Sequence, residues 1–157
     1  MEPSQHAINT ATYEIKVGEL DIGVPKFHRQ KGRLLIFLRP NENQLQTIKE
    51  LDKHVWNPSL ANFNSDLNAY VYWGENTRWG CELEHVPPGE SRFKDDDESA
   101  KWLGGYWDPL CESSYDYAGR TIKSWKYTRN GLNLEVPNLR KPILHRNAKG
   151  VVFVVPG

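Results

Sequence analysis

Apolar positions along the chain change period several times, and each change predicts an element. Tyr13, Ile15 and Val17 alternate with polar residues, a period-2 strand that ends at Gly18. Lys31-Gly32 reads as a hairpin-like turn, and Arg33 to Arg39 is a continuous apolar run, a buried strand closed by Pro40. From Asn41 to Val55 the period lengthens: Leu45, Ile48, Leu51 and Val55 fall on one helical face, with Asn41 or Asn43 to cap its start. Trp56-Asn57-Pro58 breaks this helix and Ser59 to Asn68 reads as loop. Ala69 to Trp73 resumes as a strand, with Tyr70 and Tyr72 on one face and Val71 and Trp73 on the other. Gly74 to Gly105 reads mostly as loop. Short strands are expected at Tyr106-Trp107, Tyr115 to Tyr117, Thr121 to Tyr127, Asn133 to Val136 and Val151 to Val155. Many short strands and one helix predict a small, mainly antiparallel β domain over residues 13–157, preceded by an extended arm over 1–12.

Composition narrows what that domain can do. Twenty basic residues balance twenty acidic ones among 157, so charge gives no case for a nucleic-acid or anionic-membrane partner. No run reaches the roughly 18 to 20 apolar residues of a membrane helix, and no removable targeting segment is legible. The catalytic inventory is empty: there is no Ser-His-Asp order, no phosphate-cradling glycine loop and no pair of acids with a reason to differ in pKa. Asp95 to Glu98 lacks the alternating ligands and glycine of a calcium loop. Two cysteines, Cys81 and Cys111, are too few for a disulfide framework or a four-thiolate site. Six Trp and seven Tyr put much of the apolar area in rings suited to a partner surface.

The stretch GGYWDPLCESSYDYAGR, Gly104 to Arg120, carries a further signal. Its Gly-Gly-aromatic entry, Pro109, Ser113, Tyr115-Asp116 and Gly119-Arg120 resemble the second cluster-binding loop of Rieske [2Fe-2S] domains, which runs Cys-Pro-Cys-His-Gly-Ser-x-Tyr-Asp-x-x-Gly-Arg. GCELEHVP, Gly80 to Pro87, is similar to the first loop, Cys-Thr-His-Leu-Gly-Cys-Val-Pro, with Leu83 and Val86-Pro87 retained. Gly18 to Pro40, the helix at Asn41 to Val55 with its Trp-Asn-Pro, and LNLEVP, Leu132 to Pro137, extend the resemblance to mitochondrial-type Rieske proteins over about residues 13 to 157, without the family's membrane anchor.

This resemblance places Gly80 and Glu82 at the ligand Cys and His of the first loop, and Asp108 and Cys111 at those of the second. His85 and Leu110 fall at the two cysteines of the inter-loop disulfide. All four ligands and both halves of the bridge are therefore replaced within the degenerate region 79–119, while the hydroxyl positions Ser113 and Tyr115 that hydrogen-bond sulfur in the family survive. A Rieske cluster needs two thiolates on one iron and two imidazoles on the other, so no [2Fe-2S] cofactor is expected. The resemblance implies a Rieske-like sandwich or barrel that serves as a non-catalytic subunit of a mitochondrial complex of the respiratory chain, peripheral to the inner membrane, with other protein subunits as partners. A mixed zinc site from Glu82, His85, Asp108 and Cys111, or a redox role for the remodelled loops, is the alternative. A third reading is a small-molecule pocket reported by Trp79, Trp107 and Trp125. The bland expectation is that Glu82 and Asp108 face solvent or bond loop amides, that Tyr115 packs and bonds backbone, and that Cys81 and Cys111 are free, partly buried thiols. A bridge between Cys81 and Cys111 would instead clamp the two loops.

Overall fold

A computed structural model describes residues 13–16, 18, 20–90, 102–110, 113–122 and 136–155. Among the described residues, ten strands form three antiparallel sheets. One sheet joins β1 (Tyr13–Glu14), β10 (Val152–Val155) and β9 (Ile143–Arg146) in that order. A second runs β2 (Lys26–Gln30), β3 (Arg33–Leu38), β5 (Ala69–Trp73) and β4 (Phe63–Asn64). The third is β6 (Glu84–Val86), β7 (Gly105–Trp107) and β8 (Ser114–Tyr115). Among the described residues the one α-helix is α1, Glu42–Glu50, continued by a 3-10 turn at Leu51–Lys53. The fold is mainly β, as the spacing of apolar residues predicts.

The second sheet lies between two cores, which is why its central strands read as unbroken apolar runs. Leu35 and Phe37 of β3, with Ala69, Val71 and Trp73 of β5, pack with Ile15, Val152 and Val154 of the first sheet. The alternate residues Ile36, Leu38, Tyr70 and Tyr72 turn the other way, onto Tyr106, Tyr115 and Tyr117 and onto Ile48 of α1. A third cluster, Val86, Trp102, Trp107 and Ile122, covers the outer face of β6 and β7.

Local geometry follows residue chemistry. Lys31 and Gly32 take φ of 50° and 80°, the paired positive values that a two-residue hairpin needs to match strand twist. Helix α1 starts with a capping box: Asn41 Oδ1 accepts from the Gln44 amide at 2.8 Å, and Gln44 Oε1 accepts from the Asn41 amide at 2.9 Å.

Several expectations require correction. The helix spans Glu42–Glu50 rather than Asn41 to Val55, because the backbone tightens at Leu51 and Val55 pairs as a bridge with Ile122. Its buried residues are Gln44 and Ile48, whereas Leu45 is 47% exposed. Gln44 is drawn inward because its side chain both caps the helix and donates to the Gly23 carbonyl. Strands β4, β6 and β9 lie where loops are expected, and β8 ends at Tyr115 because Asp116 begins a turn closed by the Gly119 amide. Thr121 and Ile122 form single bridges; the remainder of the expected strand Thr121 to Tyr127, most of Asn133 to Val136, the 1–12 arm and the acidic string lie outside the described residues.

Candidate functional site

The two loops that the sequence singles out leave neighbouring strands. The first follows β5 and reaches β6; the second joins β7 to β8. Asn76 ties them together. Its Oδ1 accepts from the amides of Arg78 (2.8 Å) and Trp79 (3.1 Å), fixing an Asx turn in the first loop. Its Nδ2 donates to Asp108 Oδ2 at 3.1 Å and to Ser113 Oγ at 2.8 Å in the second. The first loop is further closed by the Asn76 amide on the Cys81 carbonyl (2.7 Å) and the Gly80 amide on the Asn76 carbonyl (2.8 Å).

Each position suggested as a ligand has a definite place. Gly80 takes a φ of 75° and offers no side-chain donor. Glu82 does not simply face solvent: its carboxylate pairs with Arg29 at 2.7 Å, an exposed contact worth at most about 1 kcal/mol. Asp108 is buried, contrary to the solvent-facing alternative, and its Oδ1 accepts from the Leu110 amide at 2.9 Å, so it bonds a loop amide and the Asn76 side chain. Leu110 is 82% exposed at the tip of its loop. Cys111 lies outside the described residues. Cys81, however, is disulfide-bonded, which overturns the expectation of free thiols; Cys111 is the other cysteine in the chain. A bond at Cys81 restrains the first loop.

His85 belongs to a different neighbourhood. It stands on β6, and its Nε2 lies 2.8 Å from Tyr117 Oη. Burial pushes the imidazole below its ordinary pKa against a smaller upward pull from Glu90, which favours the neutral ring in its hydrogen bond with Tyr117. Burial pushes Tyr117 up to about 12, with the Gln44 amide pulling the other way. These groups border a cleft of about 260 Å³ between β6 and the start of α1. Behind His85, Tyr72 Oη lies 2.7 Å from both the Tyr117 carbonyl and Tyr106 Oη. A carbonyl can only accept, so the Tyr72 proton goes to Tyr117 and Tyr106 supplies the proton of the other bond.

The two hydroxyl positions are structural in this arrangement. Ser113 accepts from Asn76, and Tyr115 is buried with its Oη 3.4 Å from the Thr77 amide, packing and bonding backbone as expected.

The end of the motif builds a clamp. Arg120 is fully buried, and each of its N–H groups faces an oxygen: Nε and Nη2 meet Asp116 Oδ2 at 2.8 Å, Nη2 also donates to the Ile48 carbonyl at the end of α1, and Nη1 reaches Asp52 and the Pro58 carbonyl. Asp116 Oδ1 accepts from the amides of Ala118 (3.0 Å) and Arg120 (2.8 Å). Burial pushes this carboxyl up, and Arg120 with the two amides pulls it back. Complete hydrogen bonding is what lets the charged pair sit in the core. Gly105 completes the frame. With φ of 151°, an added Cβ would come within 2.1 Å of the Tyr115 carbonyl oxygen, so β7 and β8 can approach only over glycine.

These residues do not fit a cluster ligated as in Rieske domains. One position lacks a donor, one is ion-paired, and one is buried in its own hydrogen bonds. Among the described residues no three His, Cys, Asp or Glu side chains group to hold a metal ion. Trp107 is buried in the outer cluster and Trp79 is 53% exposed; Trp125 lies outside the described residues. Sequence reasoning missed Asn76, although Asn in a loop commonly bonds the backbone about two residues ahead in an Asx turn. No family model matches the chain, and no curated protein matches it.

Proposed function

We propose that this chain is a non-catalytic accessory subunit of a mitochondrial multi-subunit complex of the respiratory chain, built on a Rieske-type scaffold that has given up its [2Fe-2S] cluster. One observation carries the reading. Residues that resemble the Rieske frame, Gly105, Asp116, Gly119 and Arg120, take part in building the fold, while those at the ligand positions Gly80, Glu82 and Asp108 have no donor or are committed to other partners. Scaffold and site are separate sets of residues, so the first can outlast the second.

The surface supports a protein partner. Leu45, Leu60 and Tyr70 line an open apolar cleft of about 420 Å³ beside α1, and Leu110 and Trp79 project from the two loops. No helix among the described residues is long and apolar enough to cross a membrane.

Two measurements test the proposal. Elemental analysis and a visible absorption spectrum of the purified chain are expected to give no stoichiometric iron or zinc; finding either metal would favour the metal-binding alternative and overturn this one. Affinity purification from mitochondria is expected to recover the subunits of one large membrane complex, and recovery of the chain as an isolated monomer would sink the assignment.

A further inference from the structure

A third cleft, of about 180 Å³, opens beside the first loop between Arg33, Trp73, Glu75, Thr77, Gly80 and Arg140. It is smaller than the roughly 300 to 1,000 Å³ of sites for drug-sized ligands, so its occupant is a single functional group or a small ion. The walls are basic. Arg33 lies over the Trp73 ring, 3.9 Å from guanidinium carbon to centroid, and one edge of its guanidinium is taken by Glu75, through Nε at 3.1 Å and Nη2 at 3.5 Å. Stacking and pairing hold the plane of the group still and leave the Nη1 end with its donors unused.

Arg140 also lines the cleft. Its carbonyl accepts from the Trp73 amide at 2.8 Å, which pins its backbone to β5. Its guanidinium has no hydrogen bond or ion pair among the described residues. Two arginines and one carboxylate line the cleft, leaving one net positive charge around it. The polar groups beside them are occupied: the Thr77 hydroxyl donates to the Pro137 carbonyl, and the Gly80 amide to Asn76. The donors left over are arginine donors, and paired guanidinium groups match the oxygens of a carboxylate or a phosphate.

We propose that this cleft binds a small oxyanion, a carboxylate or a phosphate, between Arg33 and Arg140. Arg140 is the principal donor, and Arg33 is the oriented second donor that Trp73 and Glu75 hold in place. The proposal is independent of any likeness to Rieske domains.

The test follows the arginine Nε–Hε resonances of the ¹⁵N-labelled full chain by NMR during titration with sodium phosphate and, separately, sodium acetate, each against sodium chloride at matched ionic strength. Saturable shifts of Arg33 and Arg140 are expected. Arg140→Ala, a change at an exposed side chain, should weaken the Arg33 response at least tenfold while leaving the amide spectrum dispersed. Saturation by acetate assigns a carboxylate-bearing occupant, and saturation by phosphate alone assigns a phosphate. Shifts that grow linearly, that chloride reproduces, or that survive Arg140→Ala would overturn the site.

Discussion

At the scale of single residues, the weightiest side chain is Arg120. Replacing it with Met would leave the Asp116 charge buried beside an apolar chain, a change expected to cost about 3 to 5 kcal/mol in urea unfolding. The double change Asp116→Asn with Arg120→Met should cost clearly less than the sum of the two single changes; additive costs would show that the two groups do not act as a pair. His85 supplies a pH signature. Its folded pKa lies below the ordinary 6.5, so the unfolded chain binds more protons on the acid side. Its contribution is therefore fully present above the unfolded value and is lost as pH falls through the folded one. Urea midpoints should drop as pH falls below about 6.5, and His85→Gln should flatten that drop. An unchanged slope in the variant would remove His85 from the account. Neither role is visible in sequence alone: the residues are legible as motif positions, but Arg120 reaches Ile48 and Asp52 across 72 and 68 residues, and His85 reaches Tyr117 across 32.

At the scale of elements, legibility tracks how completely an element is buried. Strands β3 and β5 announce themselves as apolar runs because both faces are covered, and the Lys31-Gly32 turn announces itself by residue type. Strands β6 and β9 do not, since Glu84-His85-Val86 and Ile143 to Arg146 are short, partly exposed and lack clean alternation. The helix is recognisable by period, yet its inner face is shifted because Gln44, a polar residue, is spent on the cap and on Gly23. Gly105 governs the pairing of β7 with β8. Gly105→Ala should lower stability by about 3 kcal/mol or more, a fall of roughly 6 °C or more in Tm. A thermal melt within about 2 °C of the parent would show that the strands separate freely enough to admit a methyl group.

At the scale of the whole molecule, three sheets enclose two cores, with the central sheet shared between them. The paired loops emerge beside the cores, tied to each other by Asn76, and the first is further restrained by the disulfide at Cys81. That explains why the site was only half legible: the frame residues carry motif spacing, whereas the bond from Asn76 to Asp108 spans 32 positions and exists only once the sheets assemble. It also bears on how such a chain changes over generations. The Asp116–Arg120 clamp closes on backbone carbonyls, Asp52 and its own turn, and includes neither Gly80, Glu82 nor Asp108. Substitutions at those three positions can accumulate without loosening the clamp. Selection on folding thus leaves exposed crest positions such as Glu82 and Leu110 free to change, whereas Asp108, buried and bonded to Asn76, is held by the loops themselves.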